Sequence, residues 1–167
     1  MVTITSPSSL ELEQVAHILR ARGETLGTAE SCTGGLASVW LTSLPGSSKW
    51  FKGGVITYAN ELKTRFLGVS EEILREHGAV SEESAKAMAK GAILALQVTH
   101  SIAITGIAGP SGGSEEKPVG TVWLGASING EVHAKRVHFP GDRAEIRARA
   151  AQTALLWLLS LLRADKF

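Results

Sequence analysis

The stretch Thr25-Leu26-Gly27-Thr28-Ala29-Glu30-Ser31-Cys32-Thr33-Gly34-Gly35-Leu36-Ala37-Ser38-Val39-Trp40-Leu41 decides the fold. Thr25 to Glu30 reads as a short buried strand, Gly34-Gly35 permits a tight turn, and Leu36 to Leu44 reads as a helix closed by Pro45-Gly46. Phe51 to Tyr58 follows as a second strand, rich in β-branched and aromatic residues and loosened by Gly53-Gly54. Two strands joined through a helix pair in parallel, the building unit of a layered α/β domain.

The flanks continue the pattern. Ser8-Ser9-Leu10-Glu11 has capping-box spacing, and Leu12, Val15, Ala16 and Leu19 keep a helical period until Gly23. Beyond the second strand, Asn60 reads as the N-cap of a short helix carrying Leu62, Phe66 and Leu67 and ending at Gly68. Ser70 caps another short helix that stops at Gly78. Ser81 opens a longer one with Ala85, Met88, Ala89, Ala92, Ile93 and Leu96 on one face. Ser101 to Thr105 reads as a small buried strand, and between Val119 and Phe139 two strands flank Asn129-Gly130, a strong hairpin signal. Asp142 and Glu145 form a second capping box for a last helix running to about Arg163. The order α-β-α-β-α-α-α-β-β-β-α predicts a single layered α/β/α domain over 1–167, its core at about 10–162, with a mixed, mostly parallel sheet and one antiparallel hairpin.

Composition narrows the function classes. The 167 residues are 44% hydrophobic and 20% charged, which suits a soluble globular domain and excludes disorder and collagen-like repeats. Lys plus Arg at 17 against Asp plus Glu at 16 leaves a net charge of +1, so neither nucleic acid nor an anionic membrane is an expected partner. The single Cys32 rules out a disulfide framework and a multi-cysteine zinc site, and fits a reducing cytoplasm. Met1 to Leu10 shows no secretory pattern. Ala154 to Leu162, interrupted by Ser160, falls short of the roughly 18 residues needed to span a bilayer; apolar on nearly every face, it predicts a homo-oligomer. His17, His77, His100, His133 and His138 show no metal-ligand spacing, so neither a metal nor another cofactor is expected.

Reactive side chains concentrate where α/β domains bind ligands, at the carboxyl ends of strands. Ser31 follows the first strand just before a helix, where free N–H groups stabilise an oxyanion; Ser31 or Thr33 also suits a plain helix cap, and Cys32 is a rival nucleophile or inert packing. With Asn60 as N-cap, Lys63 falls in the first turn, where the helix dipole and desolvation lower a lysine pKa toward that of a general base; an exposed lysine covering apolar surface is the alternative. Tyr58, the only tyrosine, either hydrogen-bonds into the same pocket or points its hydroxyl to water. Thr105-Gly106-Ile107-Ala108-Gly109-Pro110, continuing to Gly112-Gly113, fits neither the dinucleotide fingerprint nor a P-loop, yet its N–H groups suit an anionic or carbonyl oxygen; a mobile loop is the other reading. Ser114 to Lys117 matches Ser-x-x-Lys but lacks the partner motifs of that enzyme class. Arg143 and Arg147, at i and i+4, either clamp a phosphate or lie solvated.

Ala29-Glu30-Ser31-Cys32-Thr33-Gly34-Gly35, Tyr58-Ala59-Asn60 with Lys63 and Leu67-Gly68-Val69, Gly78-Ala79-Val80-Ser81 and Thr105-Gly106-Ile107-Ala108-Gly109-Pro110 together resemble the CinA C-terminal domain family, in its order and spacing, from about Leu10 to Leu162. The resemblance implies a bacterial enzyme that hydrolyses the carboxamide of nicotinamide mononucleotide to nicotinic acid mononucleotide and ammonia, without a metal, in NAD recycling. Carried over, it implies Ser31 as nucleophile and Lys63 as its base, with Tyr58 in support. It further implies that Thr33, Gly34, Gly35, Asn60, Thr105, Gly106 and Gly109 surround the substrate, joined by Arg143 and Arg147 at its phosphate. The large N-terminal domain of full-length family members has no counterpart here. Two other readings stand beside this one: a non-catalytic nucleotide-binding or protein-interaction module linked to competence or DNA damage, and a Ser/Lys amidase for another small amide.

Overall fold

The computed structural model describes residues 6–165; the outermost parts of the 1–167 domain expectation, and Met1 to Thr5 of the Met1–Leu10 stretch, lie outside them. The elements are α1 (Ser9–Arg22), β1 (Leu26–Glu30), α2 (Leu36–Thr42), a 3-10 turn (Ser47–Lys49), β2 (Phe51–Ile56), α3 (Asn60–Leu67), α4 (Glu71–Glu76), α5 (Glu82–Leu96), β3 (His100–Gly106), β4 (Thr121–Ile128), β5 (Glu131–His138) and α6 (Arg143–Ala164).

Both capping boxes form: Ser8 and Glu11 satisfy the start of α1, Asp142 and Glu145 that of α6. Ser70 and Ser81 cap α4 and α5 through their hydroxyls. Asn129 and Gly130 both take positive φ, 48° and 86°, as a tight two-residue hairpin requires. The N-cap of α3 is Ala59, with φ −80° and ψ 150°, so Asn60 is already helical and Lys63 sits one position deeper than the sequence suggests. The strand expected to run to Tyr58 ends at Ile56, freeing the Thr57 and Tyr58 carbonyls from the sheet.

The sheet order is β2-β1-β3-β4-β5. β1 pairs in parallel with β2 and β3, and β3–β4 and β4–β5 are antiparallel, so β4 alone among these strands runs against the rest. Side-chain size alternates with the pleat. Leu26, Ile102, Ile104, Val122, Leu124, Ala126 and Ile128 face the α1–α2–α6 layer, packing with Leu12, Leu19, Trp50, Leu155 and Leu158. On the opposite face Ala29 and Ala103 pack against α5 through Met88, Ala89 and Ala92. The approach there is close enough that a Cβ on Gly125 would strike the Ala85 carbonyl, and the Ser101 hydroxyl donates to the Ala89 carbonyl at 2.7 Å. Bulk on one face and small residues on the other fix α5 tightly, and with it the loop that enters it.

Ala154, Leu155, Leu158, Leu159 and Leu162 are all buried within this chain's own core. Leu156, Trp157 and Leu161 of the same run are only partly buried, so α1 and the sheet take up most, and not all, of the apolar run that invited a partner chain. Fully buried His100 lies 2.7 Å from Glu24 through Nε2 and accepts the Asn129 N–H at Nδ1, so it anchors the hairpin end. Among the described residues no helix is long and apolar enough to cross a membrane, and no group of three or more His, Cys, Asp or Glu is placed to hold a metal ion.

Candidate active site

α2 returns the chain to β2 on one side of β1, whereas the route through α3, α4 and α5 leads to β3 on the other. The chain direction therefore switches beside β1, the place where open α/β sheets leave a crevice at their carboxyl ends. Ser31 stands at that point, its N–H donated to the Ile104 carbonyl of β3 at 2.9 Å. A cleft of about 180 Å³ opens there, lined by Ser31, Cys32, Tyr58, Asn60, Lys63, Ala79, Val80, Thr105, Gly106, Ala108 and Arg143. A wider groove of about 470 Å³ between α1 and α6, lined by Glu13, Gln14, His17, Ile18, Arg20 and Arg163, holds no nucleophile–base pair. The smaller cleft is the one that brings a hydroxyl and an amine together.

Lys63 is 1% exposed, and its Nζ lies 3.1 Å from Ser31 Oγ. The same nitrogen donates to the Thr57 carbonyl at 2.7 Å and the Tyr58 carbonyl at 3.3 Å, the two groups released where β2 ends. Among the described residues no carboxylate forms an ion pair with it, so burial dominates and lowers its pKa from the usual 10.5. As an ammonium Nζ donates to all three oxygens; as a neutral amine its two N–H bonds serve the carbonyls and its lone pair turns to the serine hydroxyl. Cys32 is also buried, and its thiol is pushed up to about 12, chiefly by desolvation. That disfavours the thiolate on which a rival nucleophile depends.

The other expected residues separate into two groups. Asn60, Thr105, Gly106 and Arg143 line the cleft. Thr105 is nearly fully buried and ties β3 to the α5 entry by donating to the Ala79 carbonyl at 2.8 Å. Arg143 reaches across the mouth, donating to the Gly109 carbonyl and to the Tyr58 hydroxyl, both at 2.8 Å. The half-exposed Tyr58 ring thus stands at the entrance, its hydroxyl engaged by Arg143 rather than by Ser31 or Lys63. Thr33, Gly34, Gly35, Gly109 and Arg147 do not line the cleft. The Gly34 N–H donates to Ser31 O and the Gly35 N–H to Glu30, while Arg147 binds the Cys32 and Thr33 carbonyls at 3.0 Å each. With its guanidinium engaged on backbone, Arg147 braces the loop from beneath.

Glu30 is the group that sequence reasoning passed over. It is 1% exposed, and its carboxylate gathers the donors of the turn that follows. The signal was present in the quoted stretch: α2 opens at Gly35, which has no side chain to cap it, so an acceptor must come from elsewhere.

A serine and a lysine in contact at the switch point of a layered α/β sheet define the class: an α/β protein with a buried hydroxyl–amine pair. The chain belongs to the CinA C-terminal domain family, whose model matches residues 9–162. It is similar to the nicotinamide-nucleotide amidohydrolase PncC of Escherichia coli, 51% identical over 148 residues that cover 87% of this chain and 90% of that protein. It is also similar to a CinA-like protein of Gemmatimonas aurantiaca, 57% identical over 80% of this chain but spanning only 31% of that longer protein. A crystal structure of a competence/damage-inducible protein from Agrobacterium tumefaciens superimposes with a TM-score of 0.87 at 41% identity, covering 94% of this chain and 98% of that one.

Proposed function

We propose that this protein hydrolyses the carboxamide of nicotinamide mononucleotide, giving nicotinic acid mononucleotide and ammonia, with Ser31 as nucleophile and Lys63 as its base. The 3.1 Å approach of a buried, carboxylate-free lysine to Ser31 Oγ carries this reading, and the name of the E. coli relative supplies the substrate. Lys63 takes the hydroxyl proton as Oγ attacks the amide carbon, and the ammonium so formed protonates the leaving nitrogen, which departs as ammonia. Water then attacks the Ser31 ester, giving its proton to Lys63 and returning it to Oγ, so that one water is consumed for each ammonia released.

The donors for the oxyanion follow from the hydrogen-bond ladder. The Ile107 N–H is donated to Thr121 O, and alternation along the antiparallel pair turns the Gly106 N–H away from β4, toward the end of β1 where Ser31 sits. At about 180 Å³ the cleft is below the 300–1,000 Å³ usual for whole ligands, so it takes the carboxamide ring and leaves ribose and phosphate at the mouth beside Arg143. An uncharged base suits a cationic pyridinium, which an ammonium would repel.

The reading places the protein in the cytoplasm, in NAD recycling, as a homo-oligomer; exposed Val39 on α2 and Ile56 on edge strand β2 offer apolar surface for self-association. The test is an ammonia assay on nicotinamide mononucleotide, nicotinamide, glutamine and asparagine with wild type and Ser31→Ala. Turnover of the mononucleotide by the wild type, lost in a folded Ser31→Ala, is expected. Binding without turnover would make the domain an interaction module, and faster release from another amide would make it a different amidase.

A further inference from the structure

We propose that Glu30 is a positioning residue for Ser31, its buried carboxylate fixing the backbone from which the serine hydroxyl is presented. This rests on Ser31 being the nucleophile. Oε2 accepts from the Thr33 hydroxyl at 2.6 Å and from the N–H groups of Gly35 and Ala37 at 3.1 and 3.2 Å; Oε1 accepts from the Ser38 N–H at 2.9 Å and the Ser38 hydroxyl at 2.7 Å. These donors come from both ends of the turn, so one anion ties the loop after Ser31 to the first turn of α2. Its own backbone is held as well, since Glu30 O accepts the Thr57 N–H at 2.9 Å. The strand end carrying the nucleophile and the segment whose carbonyls hold Lys63 are thereby joined through one residue.

A carboxylate is the acceptor this arrangement requires. Gly34 and Gly35 lie at φ 61° and 98°, a left-handed bend that turns the Gly35 N–H, and after it those of Ala37 and Ser38, onto the carboxylate, while the Gly34 N–H closes on Ser31 O. An ionised carboxyl accepts at both oxygens, whereas the amide of glutamine would set two N–H bonds against some of these donors. Arg147, partly buried, holds the same loop through the Cys32 and Thr33 carbonyls, so Ser31 leads into a segment clamped by two oppositely charged groups. The clamp also occupies the helix donors: Gly35, Ala37 and Ser38 N–H go to Glu30 and Leu36 N–H to Thr33 O, which leaves the start of α2 with nothing to offer an oxyanion. Glu30 therefore acts through geometry and touches no substrate.

The experiment compares wild type, Glu30→Gln, Thr33→Val and Thr33→Ser for acylation of Ser31 by a fluorophosphonate, read by intact mass, and for ammonia release from nicotinamide mononucleotide. Displacing a nucleophile by about 1 Å costs about 100-fold in rate, so Glu30→Gln is expected to slow both acylation and kcat by about that factor while KM stays within about threefold. The pH midpoint of the rate should not move, because burial and not Glu30 sets the Lys63 shift. Thr33→Val should show a smaller loss, most of which Thr33→Ser restores by keeping the hydroxyl. Glu30→Gln acylated as fast as wild type overturns the proposal, and so does a displaced pH profile, which would make Glu30 a tuner of charge. If Glu30→Gln does not fold, equal rates in the two Thr33 variants overturn it. A wild type that neither reacts with the probe nor releases ammonia defeats the reading of Ser31 itself, an outcome distinct from a reactive wild type matched by Glu30→Gln.

Discussion

Replacing Lys63 by methionine separates the two roles that burial gives this residue. The side chain is 1% exposed and unbranched, so methionine fills nearly the same volume while removing the amine. A general base contributes about 10²–10⁴-fold, and ammonia release should fall by that factor. Stability carries an independent signature. Burial lowers the Lys63 pKa in the folded protein from 10.5, so between the folded value and 10.5 the unfolded chain binds a proton that the native state lacks. Wild-type stability must then rise with pH across that window, at up to about 1.4 kcal/mol per pH unit, and lose this dependence below the folded value, where both states are protonated. Methionine has no such linkage. Urea unfolding of both proteins from about pH 6 to about pH 10, followed through fully buried Trp50, should therefore show a stability difference that shifts toward the wild type as pH rises. The rising limb of kcat/KM in the wild type should fall in the same range. Parallel stability profiles, or a methionine variant within tenfold of wild-type activity, would refute the assignment of Lys63 as a neutral base.

Two further outcomes follow from burial and packing. With its thiol pushed up to about 12, Cys32 should resist iodoacetamide in the native protein at pH 7.5 and be alkylated only after unfolding in urea; rapid inactivation of the native protein would restore the thiol as nucleophile. Gly91→Ala reverses a usual rule. Alanine normally favours a helix interior by about 1 kcal/mol, but a Cβ on Gly91 would run into the Leu67 carbonyl where α5 packs on α3, at a cost of roughly 1–3 kcal/mol. The expected fall in Tm is about 2–4 °C per kcal/mol, and a higher Tm would show that the two helices separate freely.

What the sequence made legible was local. A capping box involves residues three apart, and both Ser8–Glu11 and Asp142–Glu145 form as read; Asn129-Gly130 likewise closes its hairpin from two residues alone. Ser31 and Lys63 were recognisable one at a time, each near a strand end, and their contact follows once β1 and β2 are parallel neighbours with aligned carboxyl ends. The N-cap of α3 was misplaced because asparagine is the better cap by propensity, yet tertiary packing starts the helix at Asn60 and turns Asn60 to the cleft. The run from Ala154 to Leu162 looked too apolar for one chain because periodicity does not reveal that α6 is covered by α1 as well as by the sheet. Arg147 reads from its spacing to Arg143 as either a phosphate ligand or a solvated charge, but its partners are backbone carbonyls of the β1–α2 loop, which only the packing of α6 against α2 brings within reach.

The same packing resolves a conflict that the proposed chemistry imposes. A lysine that must be neutral needs low polarity and no nearby anion, while a nucleophile that must be immobile needs strong interactions around its loop, and charged groups supply the strongest. Placing a carboxylate one residue before the serine would ordinarily favour the ammonium and silence the base. Here the Glu30 charge is directed away from the cleft into the α2 donors, with the Arg147 guanidinium bound to the same loop, and its influence reaches the Cys32 thiol, which it raises, without appearing among the causes of the Lys63 shift. The contacts that hold the loop and the burial that lowers the Lys63 pKa thus come from different sides of one strand end. This separation accounts for why the only polar groups within hydrogen-bond distance of Lys63 Nζ among the described residues are two carbonyls and the hydroxyl it is proposed to activate.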